Sequence, residues 1–235
     1  METTDPSRTA GARRVGLALA LFTAPWLIVA ANTAYTVMTL HGGEDLSPEG
    51  DLALAGAYPA LDRWAKLATV LGALLLVPAV LGVMRVVRVG AARLGLIGGV
   101  LTAAGYVCYF AMVFQGFTAN AMVRAGGSHA EQVAILQARL DEPLTIWVYV
   151  LFVIGNMIGT FLLGLAVVRA RTAPVWAGIG LMAWPVLHLI DLTGFEILGS
   201  VLQAVGFAAI GVTLLRRTTS TTTPADPAPY ELLRK

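Results

Sequence analysis

The chain is short of charge, cysteine, histidine and lysine, and each shortage removes a class of protein. Only 13% of its 235 residues are charged, against about 25% in an ordinary soluble domain. The single cysteine, Cys108, excludes an intrachain disulfide and any cysteine-built metal centre. The three histidines, His41, His129 and His188, show no ligand-pair spacing, so neither a metal site nor a cofactor is expected. A phosphate-cradling glycine loop, a His-Glu-x-x-His helix and a Gly-x-Ser-x-Gly elbow are all missing. Lysine occurs twice, against 14 arginines. Those arginines flank apolar runs, as topology signals do, and nucleic-acid binding is not expected.

What is present is hydrophobicity, at 57% of the residues. Uncharged runs cover 15–43, 67–84, 94–123, 143–168, 172–190 and 197–215. Each is close to or above the roughly 20 residues that span a bilayer as helix. The runs are continuous rather than alternating, which points to helices and not to a barrel. The expectation is an all-α polytopic membrane protein with six transmembrane helices, at about 15–40, 64–87, 94–123, 146–168, 175–193 and 197–215. A polar lead, 1–14, precedes the domain 15–217, and the Thr- and Pro-rich 218–235 reads as a disordered tail. The two ends and the 2–3 and 4–5 connections carry 12 of the 16 Lys and Arg residues, which predicts that both termini are cytoplasmic. Arg13-Arg14, the first apolar run and Ala30-Ala31 also resemble a secretory signal, but the run is longer than a signal core. Arginine over lysine in a background of Ala, Gly and Val has the flavour of a high-GC bacterium, hence a bacterial plasma membrane.

The connections on the other side are longer. Ser47-Pro48-Glu49 predicts a capped short helix, and Ser128 with Glu131 forms a capping box before Val133, Leu136 and Leu140, which share one helical face. A faint repeat joins the inner ends "LGVMRVVR", "LGLAVVR" and "IGVTLLRR".

Polar residues are few and unevenly placed. In the fifth helix Trp184, His188, Asp191 and Phe195 fall on one side, and Glu196 follows in the turn to the sixth. Ionisable groups within a bilayer usually face the bundle interior and mark function. Asp191 and His188 are therefore the candidate catalytic pair, with Glu196 a weaker third. Asn32 and Tyr35 in the first helix, Tyr109, Gln115 and Asn120 in the third, and Tyr149 in the fourth lie mostly toward the outer half, with Asn156 of the fourth near the midplane. With Trp184 they predict a polar, aromatic cavity that opens outward.

The organisation of residues 15–217, with short Arg-bearing inner loops and "LGVMRVVR"-type endings, resembles the small six-helix integral membrane proteins common in actinobacterial genomes. The resemblance implies a fold and a membrane, and it carries no catalytic residue. Integral-membrane terpene cyclases are similar in size but usually have seven helices and an early carboxylate, and this chain has neither. Three readings stay open. The first is binding or acid-catalysed conversion of an apolar, lipid-like or isoprenoid molecule from the bilayer, with Asp191 as general acid and His188 relaying the proton. The second is a small transporter or exporter, and the third a non-catalytic accessory subunit.

Overall fold

A computed structural model describes residues 6–41, 47–190 and 195–216. Among them there is no strand. Long helices form α1 (Pro6–Leu40), α3 (Pro59–Val87), α4 (Ala92–Ala125) and α9 (Phe195–Arg216). Short ones form α2 (Pro48–Ala57), α5 (His129–Asp141) and α8 (Val175–His188). A further long rod is α6 (Pro143–Ile154) continued by α7 (Thr160–Ala170), joined through one π-helical turn at Gly155–Gly159. Five of these rods, counting Pro143–Ala170 as one, are long and apolar enough to cross a membrane, and α8 is apolar but only 14 residues long. The chain is thus an all-helical, multi-pass membrane protein by architecture.

The rods close into a ring. α1 packs on α3, α3 on α4, α4 on α6–α7, α7 on α8, α8 on α9, and α9 returns to α1. Inward stripes at helical spacing, such as Leu17, Leu21, Ala24 and Ile28 on α1 and Leu76, Val80, Val83 and Val87 on α3, meet Leu163, Leu181, Phe207 and Ile210 in one core. Leu71, Leu74, Ile97, Val100, Phe114, Ile158, Trp176 and Ile179 point outward and are exposed. A soluble protein does not carry an apolar belt of that extent.

Small residues set the distances between rods. A Cβ on Gly155 would lie 2.5 Å from the Leu101 carbonyl oxygen, and one on Gly159 would lie 2.5 Å from the Thr102 nitrogen. Here α4 and the π-turn touch backbone to backbone, as small-xxx-small pairs allow in membranes. No sequence periodicity announces the π-turn itself.

The two ends of the ring differ. One, the loop end, carries among the described residues the short connections 88–91 and 171–174, tied by Thr172 Oγ1 donating to the Val86 carbonyl at 2.8 Å. The other, the cap end, carries α2 and α5. Ser47 Oγ accepts from the Gly50 N–H at 2.9 Å and starts α2 before Pro48. Ser128 caps α5 through the Glu131 N–H at 3.5 Å, and Leu136, fully buried, sets its apolar face against Leu52, Ala55 and Ala119. Helix starts fall earlier than the sequence predicts: α1 begins at Pro6 inside the expected polar lead, and α3 at Pro59. Ala, Arg and Leu in these segments are good helix formers, and proline suits a first turn. The expected tail, 218–235, lies outside the described residues.

Candidate functional site

α9 turns one polar stripe inward. Glu196, Ser200 and Gln203 recur at i, i+4 and i+7, above the buried apolar Phe207, Ile210 and Leu214. Ser200 Oγ donates to the Glu196 carbonyl at 2.9 Å and accepts from Asn32 Nδ2 of α1 at 2.9 Å. The Tyr106 hydroxyl of α4 meets Gln203, and the Tyr109 hydroxyl faces Thr69 of α3. From α8, Trp184 is buried and stacks on His188 with ring centroids 5.0 Å apart. His188 Nδ1 lies 3.6 Å from Glu196 Oε1, with side chains 40% and 45% exposed. The result is a polar seam among α1, α3, α4, α8 and α9 that runs inward from a wet mouth at the cap end.

The seam holds two donors with no acceptor at hydrogen-bond geometry, although Gln203 stands beside the Tyr106 hydroxyl. Trp184 Nε1 and Gln203 Nε2 are buried without a hydrogen-bond partner. A buried N–H without an acceptor costs about 1–3 kcal/mol, so such groups call for an explanation. Gln203 stands seven residues below Glu196 on α9, roughly 10 Å deeper at 1.5 Å per residue.

The expected site residues divide. His188, Trp184, Asn32 and Glu196 join the seam, and Tyr109 lines it. Glu196, expected as a turn residue, stands in the first turn of α9 as the partner of His188. Asn156 is buried in the π-turn, with its Oδ1 3.5 Å from the Thr160 hydroxyl. Tyr149 is exposed on the flank of α6, where it meets Phe152 edge-on, while Tyr109 stacks on that Phe152 at 4.7 Å. Tyr35 packs against the small core of Ala34, Met38, Leu54 and Ala65, and Gln115 is exposed. Asp191 lies outside the described residues. Two surface grooves of about 370 and 400 Å³ open elsewhere, one along Leu52, Gly56, Val123 and His129, the other at Gly90–Arg93 and Arg169. Among the described residues the polar side chains meet one another in a seam, because the helices that carry the polar stripe are in close contact.

A second polar group was not expected. Lys66 Nζ of α3 donates to Asp62 Oδ2 at 2.9 Å, to Asp51 Oδ1 of α2 at 2.9 Å and to the Gly116 carbonyl of α4 at 3.1 Å. Asn120, expected in the cavity, instead donates from Nδ2 to Asp62 Oδ2. Asp62 is 2% exposed and Asn120 3%. The i, i+4 spacing of Asp62 and Lys66 just ahead of an apolar run was the available signal. Among the described residues no three His, Cys, Asp or Glu side chains come together as metal ligands.

No protein family, curated protein or solved structure matches the chain. Its chemistry therefore has to be argued from the seam and the Lys66 cluster themselves.

Proposed function

We propose that the protein is a six-span protein of a bacterial plasma membrane, with cytoplasmic termini, of the kind common in actinobacteria, and that it binds an apolar, lipid-like molecule through the outward-facing seam. The arginine asymmetry supports the orientation, since the loop end carries Arg85, Arg88, Arg93, Arg169, Arg171 and Arg216. The closed ring supports the sixth span: α8 occupies a full place between α7 and α9. At about 21 Å it is shorter than the roughly 30 Å hydrocarbon core, and the shortfall falls at the mouth of the seam.

The observation that carries the binding reading is the pair of buried, unpaired N–H groups of Trp184 and Gln203. Both are neutral donors, Gln203 beside Tyr106 and Trp184 against the His188 ring, so the matching group is an uncharged acceptor such as a carbonyl or ether oxygen on a hydrophobic frame. Entry requires the α8–α9 contact to part at the mouth. Conversion of the bound molecule would draw its proton from His188 and Glu196, with Asp191 in the adjoining segment. Below Gln203, Leu181, Phe207 and Ile210 are fully buried and block the axis, which favours a one-sided site over a transport path.

The protein purified in lipid nanodiscs, extracted and analysed by mass spectrometry, should yield a co-purifying hydrophobic molecule. Trp184→Phe combined with Gln203→Leu should lose it at least about tenfold, a loss of about 1.4 kcal/mol. Equal recovery from the folded variant rejects the binding reading. A reporter fused after Lys235 should be active only in its cytoplasmic form, and activity in the external form rejects the orientation.

A further inference from the structure

The Lys66 cluster lies apart from the seam and holds one carboxylate more than its cation balances. Lys66 gives one positive charge to Asp51 and Asp62, which leaves a net charge of −1 in a site where Asp62 is 2% exposed. Four basic side chains on the surrounding helices are turned to backbone oxygens instead. On α3, exposed Arg63 donates from Nε to the Pro59 carbonyl at 3.0 Å. On α4, exposed Arg124 donates to the Asn120 carbonyl at 3.2 Å. On α5, Arg139 Nη1 donates to the Gln115 carbonyl at 3.1 Å, and on α1 the exposed His41 ring meets the Val37 carbonyl at 2.7 Å. None of these is hydrogen-bonded to either carboxylate, although Arg63 attracts Asp62 at longer range.

A second observation is independent of the charge count. Asn120, 3% exposed, gives its Nδ2 to Asp62, yet its Oδ1 is buried with no donor. An ionised carboxylate only accepts, so it cannot satisfy that oxygen. A carboxylic acid can, because an acid and an amide face to face exchange two hydrogen bonds: amide N–H to acid C=O and acid O–H to amide C=O.

We propose that Asp62 and Asn120 form a proton-binding site at the cap end. A proton taken from water on that side binds Asp62 Oδ1 and donates to Asn120 Oδ1, while Oδ2 continues to accept from Asn120 Nδ2. The cluster charge goes from −1 to zero, and the Lys66–Asp51 pair still ties α2 to α3. Burial favours the neutral cluster, since charge left unbalanced away from water is expensive. The site is separate from the lipid reading and stands or falls without it.

Infrared difference spectra of the full chain in nanodiscs, recorded between about pH 8 and about pH 4, test it directly. The wild type should gain a carbonyl-stretch band from a protonated, hydrogen-bonded carboxylic acid. Asp62→Asn should lose that band. Asp51→Asn should lose it from the same window too, because Lys66 and Asp62 are then neutral together without a proton. Wild-type and Asp62→Asn difference spectra that coincide overturn the proposal, as does a full band in Asp51→Asn. Should Asp62→Asn fail to fold, Asp51→Asn decides alone, since Asp51 is the more exposed of the two carboxylates at 27%.

Discussion

Two sets of ionisable side chains stand at the cap end of the ring, and they differ in nearly every respect that matters energetically. The His188–Glu196 pair touches at 3.6 Å between α8 and α9 through side chains 40% and 45% exposed. The Lys66 cluster joins α2, α3 and α4 through contacts of 2.9–3.1 Å, around an Asp62 side chain 3% exposed. Exposed pairs gain little because water competes for both partners. A buried set is committed: removing its one cation, Lys66, strands two carboxylates. Position within a helix stripe therefore says where charge sits and not how strongly it holds the fold.

The comparison breaks first at Lys66. Lys66→Met leaves Asp51 and Asp62 facing each other with no cation, and the uncompensated buried charge should cost about 3–5 kcal/mol. Thermal unfolding in detergent micelles would register this as a large drop in midpoint. Adding Asp62→Leu should recover most of the loss, because an apolar replacement for a buried ion pair is often neutral or better. If the single variant unfolds like the wild type, Lys66 is not the centre of the cap. Next in size is Ser200→Ala at the seam. It removes the acceptor of Asn32 Nδ2, and leaving that half-buried donor unpaired should cost about 1–2 kcal/mol, read from the same unfolding curve. Ser47→Ala should follow at about 1 kcal/mol by removing the cap of α2. Its effect should show in faster hydrogen exchange within residues 48–57 rather than across the ring.

Much of the architecture could be read from residues alone, and the reasons are specific. Five rods follow from runs too long and too apolar for anything but membrane helices. The caps at Ser47 and Ser128 were legible because capping is a local contest for the first free N–H groups. Trp184 and His188 could be paired since i, i+4 neighbours meet by helix geometry alone. Asn120 shows where this logic stops: its face on α4 was readable, but its partner Asp62 lies 58 positions away on another rod. Glu196 was placed in a turn for a related reason, since its position depends on where α9 begins. Gly155–Gly159 shows a third limit, because one extra residue in a turn leaves hydrophobic periodicity almost unchanged.

The smallest expected effect sharpens the comparison most. Glu196→Gln keeps size and hydrogen-bonding capacity and removes only the charge opposite His188. With both side chains nearly half exposed, the change in stability should stay within about 1 kcal/mol and should shrink further in added salt. The proposed conversion uses the same carboxylate as part of its proton source, so that variant should lower turnover of the bound molecule far more than it lowers the unfolding midpoint. A midpoint drop as large as that of Lys66→Met would make the pair a structural tie, and the contrast between the two ends of the cap would disappear. Unchanged stability with lost turnover would place chemistry where the fold spends least on holding charge, which is what a site open to exchange with water requires.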